Sequence, residues 1–123
     1  MSYTACIQSM DSYLIVTVSG SIESSEELAD LAGLLVSMGR EYGMTRALLK
    51  EYRLIKNVDA LDIYSVGEAQ VSVEAAAMGV RVACLPNPDE IQLAHTLETV
   101  LCNRSVNYRI FEDEETAVAW LTS

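Results

Sequence analysis

Residues 46–79 read RALLKEYRLIKNVDALDIYSVGEAQVSVEAAAMG, and their interpretation decides the fold. The first seven, RALLKEY (46–52), read as a strand with a buried centre at Leu48 and Leu49. A polar loop comes next. From Asp59 onward, apolar residues recur at Ile63, Val66, Ala69, Val73 and Ala77. That recurrence has the period of a helix, with Asp59 as its N-cap and its end near Gly79. A strand leading directly into a helix is half of a parallel crossover unit.

Working outward, the same alternation continues. RVACLP (81–86) reads as the next strand, stopped by Pro86. A third helix succeeds it, with Asn87 as cap, Pro88 in the first turn and Glu90 completing a capping box. Its buried set is Leu93, Ala94, Leu97, Val100 and Leu101. YRIF (108–111) is a further strand, and DEETAVAWL (113–121) is a closing helix that buries Ala117, Trp120 and Leu121. Upstream, SSEELADLAGLLVSMGREYG (24–43) carries one apolar stripe of Leu28, Leu31, Leu35, Met38 and Tyr42. Ser24 and Glu27 suit a capping box, and Gly43 suits the left-handed stop. YTACIQS (3–9) and YLIVTVS (13–19) alternate with period two around the turn MDS, which predicts a hairpin.

The expected order is therefore ββαβαβαβα. The fold class is α/β: a mixed five-stranded sheet with an antiparallel N-terminal hairpin, parallel strands elsewhere and four helices. Its 123 residues, half of them hydrophobic, suit a single domain over 1–123.

Composition removes several functional classes. With 18 acidic residues against 8 lysines and arginines, the formal charge is −10. That field repels phosphate backbones and anionic lipid, so neither nucleic acid nor a membrane surface is an expected partner. No apolar run approaches the ~18 residues of a membrane helix, and the N-terminus lacks a basic-then-apolar signal, so a cytoplasmic location is expected. Cys6, Cys84 and Cys102 form no CxxC pair and read as three reduced, buried, structural thiols. No GxGxxG, GKS or GKT segment is present. The helix starts carry their own acids, at Glu26 and Glu27, Asp59 and Asp62, Asp89 and Glu90, and Asp113 to Glu115. These complement the helix dipoles and oppose a phosphate, so no nucleotide and no other cofactor is expected. Arg46, Lys50, Arg53 and Lys56 concentrate half the basic residues in one segment, as a solvated strand end or a docking patch for an acidic partner.

Three stretches resemble a known family. LETVLCNRSVNYRIFEDEETAVAWL (97–121) is similar to the helix, strand and closing helix of the SpoIIAA-like branch of the STAS superfamily, small bacterial domains that include anti-sigma factor antagonists. VDALDIYSVGEA (58–69) resembles that branch's second helix, and RVACLPNPDE (81–90) its fourth strand and following loop. The resemblance implies a regulatory, protein-binding domain. Phosphorylated members of that family carry a serine in an Asp-Ser-x-Gly turn directly after the third strand. Here Ser65 lies further on, at the border of a helix stripe and close to Asp59 and Asp62, where a phosphate meets like charge. Ser65 is accordingly read as an ordinary helix residue. The family also tends to carry an aspartate at the strand end, where this chain has Glu51.

Glu51, Tyr52 and Arg53 are placed at the carboxyl end of a central strand, with Glu51 and Arg53 on one face as an ion pair. With Asn87, from the loop Pro86–Asn87–Pro88, they form the candidate ligand-binding group at the mouth of a crevice. Tyr64, Val71 and Met78 are expected on the outer side of the second helix, as an interface for another protein or a second copy in a homodimer. His95, the single histidine, shares a stripe with Glu98 and Cys102; His95 and Cys102 are seven residues or about 10.5 Å apart, too far to share a zinc ion, so no metal is expected. The leading reading is a non-catalytic regulatory domain. The alternative is a domain that holds a small apolar molecule or lipid between the sheet and the second helix. An enzyme using Glu51 or Asp62 as base ranks last, since neither has a second polar group at a suitable spacing.

Overall fold

The computed structural model describes residues 2–123. Strands β1 (Tyr3–Ser9), β2 (Leu14–Ile22), β3 (Arg46–Lys56), β4 (Arg81–Pro86) and β5 (Asn107–Ile110) form one sheet in the order β1-β2-β3-β4-β5. β1 and β2 pair antiparallel, and every later pairing is parallel. The helices are α1 (Ser25–Tyr42), α2 (Ala60–Glu68), α3 (Gln70–Met78), α4 (Ile91–Asn103) and α5 (Glu114–Leu121), with a short 3-10 turn at Pro88–Glu90.

The strand order explains the layering. Each parallel crossover steps to the next strand in the same direction, so right-handed connections put every crossover helix on one face. Residues of α1 to α4 accordingly share one core with β2, β3 and β4. The chain leaves β5 with nothing further to pair, and α5 folds back over the opposite face. There Ala117 and Leu121 pack on Leu48, Ala83 and Leu85. Arg46 Nη1 donates to the Leu121 carbonyl at 2.6 Å and Arg81 Nη1 to that of Trp120 at 3.0 Å, which satisfies the end of α5. α5 packs chiefly on β3 and β4, and the outward residues Thr4, Cys6 and Gln8 of β1 are exposed. The expectation of three buried thiols therefore holds for Cys84 alone; Cys6 and Cys102 are exposed, and all three are free.

The helix expected from Asp59 to Gly79 is two helices, which makes five α-helices where four were expected. The chain turns extended at Ala69 (φ −73°, ψ 156°). The Val66 carbonyl accepts the Ala69 amide at 3.1 Å and the buried Ser72 hydroxyl at 2.7 Å, which closes α2 locally. The break rotates α3 relative to α2. Ser72 and Ala75 face inward, while Val73 and Ala77, expected in the core, are exposed. Gly67 sits where α2 meets α4, and a Cβ there would overlap Val100 Cγ1.

Capping agrees with the sequence with two exceptions. Ser24 accepts the Glu27 amide at 3.2 Å, but the Glu27 carboxylate takes the amides of Glu23 and Ser2 instead of returning to Ser24. Asn87 caps the 3-10 turn through Asp89, whereas Glu90 completes no box with it and turns to β3.

Candidate functional site

The site is set by an irregularity in β3. Thr17 of β2 pairs with Lys50 and Ser19 with Arg53, so two steps along β2 match three along β3. The extra residue is a β-bulge at Glu51–Tyr52, and it reverses the alternation of the strand. Before it, Leu49 and Glu51 face the main core. After it, Leu54 and Lys56 face that same core, while Tyr52, Arg53 and Ile55 are exposed. β3 also runs four residues beyond the expected end at Tyr52. Glu51, Tyr52 and Arg53 are thus mid-strand residues, and the expected Glu51–Arg53 pair does not form because the bulge turns the two apart.

Lys56 takes the place assigned to Arg53. Its Nζ lies 2.8 Å from Glu51 Oε1, and the two side chains are only 4% and 3% exposed. Burial pushes the Lys56 ammonium toward deprotonation, but the attractions of Glu51, Cys84 and Glu90 together outweigh it and hold its pKa above the ordinary lysine value. Cys84 Sγ donates to Glu51 Oε1 at 3.5 Å, and Tyr108 lies alongside. Burial, reinforced by Glu51, pushes the Cys84 thiol well up; burial, reinforced by Cys84 and Glu51, does the same to the Tyr108 phenol. The Tyr108 hydroxyl makes no hydrogen bond among the described residues, although Cys84 is near enough to influence its proton. At neutral pH this cluster holds a paired ammonium, a protonated thiol and a protonated phenol, none of them poised for proton transfer.

Glu51 and Tyr108 are among the residues lining a cavity of about 100 Å³ between the sheet and helices α1, α3 and α4. The rest of its wall is mostly aliphatic, with Leu28, Leu31, Val71, Ala75, Met78 and Leu97 prominent. Beyond Pro86, β4 leaves the free edge of β3 unpaired, and the loop after β4 repairs it. Asn87 Nδ2 donates to the Leu54 carbonyl at 3.2 Å, and Glu90 Oε1 accepts the Lys56 amide at 3.0 Å. Asn87 therefore braces the strand behind the ion pair.

The interface group separates. Tyr64 is exposed at 56%, but Val71 and Met78 are half-buried and line the cavity, because the break at Ala69 redirects α3. The outward apolar residue beside Tyr64 is Leu61, 75% exposed. Ser65 lies within α2, exposed, with its hydroxyl donating to the Leu61 carbonyl at 3.1 Å. Asp62 is engaged in a reciprocal capping box with Asp59. The four basic residues of the 46–56 segment serve separate ends: Arg46 caps α5, Lys50 pairs with Glu114, Lys56 is buried, and Arg53 is exposed. His95 is exposed near Glu98, whose other oxygen accepts the Ile110 amide of β5 at 2.8 Å. No group of three or more potential metal ligands occurs among the described residues.

No family model matches the chain, and no curated protein matches it significantly. Solved structures do match over nearly the full length. An anti-sigma factor antagonist from Mycobacterium paratuberculosis aligns with a TM-score of 0.57 and 15% identity, over 99% of this chain and 96% of the other. An uncharacterised protein with a SpoIIAA-like fold from Shewanella loihica gives a TM-score of 0.57 and 21% identity, over 97% and 93%. The anti-sigma factor antagonist SpoIIAA in its unphosphorylated form gives 0.50 and 13%, over 97% and 96%. The fold is SpoIIAA-like.

Proposed function

We propose that this SpoIIAA-like chain is a non-catalytic cytoplasmic regulator that binds another protein through the outward face of α2, without a phosphoserine switch. The observation that carries this reading is the pair Leu61 and Tyr64, one helical turn apart and 75% and 56% exposed. Large apolar side chains grouped in this way mark an interaction surface. The anti-sigma factor antagonists among the similar structures support a protein as the occupant.

The surroundings specify the partner's chemistry. Asp59 and Asp62 flank the patch, and Glu68 beyond them pairs with Arg104 at 3.4 Å, so the patch fits an apolar surface with a basic rim. The turn after β3 reads Asn57-Val58-Asp59-Ala60, with Asp59 as cap and no hydroxyl for a phosphate. Further along, a phosphate on Ser65 would stand beside Asp62 and Glu68, the latter already engaging Arg104.

Affinity purification at native expression level tests the reading, comparing wild type with Leu61→Glu/Tyr64→Glu. A defined protein should copurify with wild type and be lost from the variant, at unchanged thermal stability. A partner retained by the variant, or none found, overturns it. Dissociation of a homodimer by the variant would assign the face to a second copy.

A further inference from the structure

We propose that the free edge of β1 pairs antiparallel with β1 of a second copy, about a two-fold axis at Cys6, and joins the two sheets into one. This goes beyond partner binding at α2 and uses none of that surface.

The two edges of the sheet are built differently. At β5 the Phe111 amide donates to the Cys84 carbonyl, so Tyr108 and Ile110 are the residues whose backbone faces away from β4. α4 takes one group of each: Cys102 Sγ donates to the Tyr108 carbonyl at 3.2 Å, and Glu98 Oε2 accepts the Ile110 amide at 2.8 Å. β5 is also only four residues long and carries Arg109. These devices close that edge to strand addition. β1 has none of them. The Met10 amide donates to the Tyr13 carbonyl, and the Ser21 amide to that of Ser2. The even-numbered residues of β1 therefore turn their backbone to β2, and Tyr3, Ala5, Ile7 and Ser9 turn theirs outward. Among the described residues, no side chain or loop bonds to those outward groups. The seven residues of β1 include no proline and no charge, and their pairing with β2 has no bulge, so the usual guards of an edge are missing.

The strand is also complementary to itself, which selects a second copy as the occupant. In the register that pairs all of β1, Cys6 lies on the axis, Ala5 meets Ile7 of the second copy, and Thr4 meets its Gln8. Ala5 and Ile7 are half-buried beside the core, and the pairing covers each with the other. Thr4 and Gln8 lie exposed on the opposite face, where polar meets polar. Cys6, whose own backbone is engaged by β2, stands opposite its copy as a non-hydrogen-bonded pair, with Cα atoms about 4.5 Å apart. Charge points the same way. Each copy carries −10, and β1 is a stretch with no acid to repel its counterpart. Because the pairing is two-fold and β5 is closed, addition stops at two copies. One short ladder buries less than a standard interface, so the dimer is a weak one.

Sedimentation velocity of the reduced full chain, up to millimolar concentration, tests the pairing. Wild type should pass from monomer to dimer and form nothing larger. Cys6→Lys sets two ammonium groups face to face at an exposed position; it should weaken the dimer about fivefold or more and leave the urea midpoint nearly unchanged. Ala5→Pro deletes an amide that faces outward, away from the β2 ladder, and should abolish the dimer. Leu61→Glu/Tyr64→Glu should leave it intact. The register is read in a Cys6→Ser/Cys102→Ser background with diamide, which takes two electrons and two protons from each pair of thiols it joins. Thr4→Cys mixed with Gln8→Cys should give a disulfide-linked heterodimer, and neither alone should cross-link. A wild type that stays monomeric, a dimer that survives both Cys6→Lys and Ala5→Pro, a dimer lost in the α2 variant, or Thr4→Cys joining itself as readily as it joins Gln8→Cys each overturns the proposal.

Discussion

Replacing Lys56 by methionine should be among the most damaging single changes to this domain. The substitution keeps the length of the side chain and its burial, and it removes the cation paired with Glu51. The two side chains are 4% and 3% exposed, so water cannot screen the orphaned carboxylate. Breaking a buried ion pair from one side costs about 3–5 kcal/mol. That is a large share of the roughly 5–15 kcal/mol that holds a small domain together. For a urea m-value of about 1.5 kcal/mol per M, the midpoint should fall by about 2–3 M. Glu51→Leu/Lys56→Met replaces both partners by apolar groups and should recover most of the loss. Urea unfolding followed by circular dichroism at pH 7 measures all of this. A loss below about 1 kcal/mol, typical of an exposed pair, or a double variant as unstable as the single, would refute the reasoning.

The same geometry fixes other outcomes. Lys56, Cys84 and Tyr108 all bind their protons more tightly when folded, so their contribution is complete below their unfolded values and fades as pH rises through the folded ones. Stability by urea unfolding should therefore be flat up to about pH 8.5, the ordinary thiol value, and decline above it; Cys84→Ala should move the onset toward about pH 10, where lysine and tyrosine titrate. Gly67→Ala puts a methyl group onto Val100 and should cost about 1–3 kcal/mol in thermal unfolding, with part of the loss recovered in Gly67→Ala/Val100→Ala. Titration with a thiol reagent should count two reactive groups, Cys6 and Cys102, in the native protein and the third, Cys84, after unfolding.

Strand and helix periodicity was strong enough to order every strand and to predict the antiparallel hairpin, because one buried face per element imposes a regular pattern. The bulge carries no comparable mark. KEYRLIK alternates well enough to suggest Glu51 beside Arg53, and only the pairing of Thr17 and Ser19 with β3 shows that Lys56 is the partner. Leu54 and Ile55 hinted that the strand runs past Tyr52, but the polar residues around them masked it. The helix break at Ala69 was hidden for a related reason. No proline or glycine stands there, and the device that closes α2 is a serine hydroxyl reaching back six residues. Tyr108 and Cys84 read as packing residues, which they are; their meeting with Glu51 is a tertiary fact. Exposed Leu61 was the one clue available locally, since it lies off the apolar stripe of α2 as Tyr64 does.

The side-chain ammonium of Lys56, followed by NMR through an alkaline titration, tests most directly whether the β3 bulge turns Glu51 and Lys56 inward as a buried ion pair. The structure predicts slow exchange of the ammonium protons and a charge retained above the ordinary lysine value of about 10.4. A freely exchanging ammonium that titrates at or below that value would contradict it.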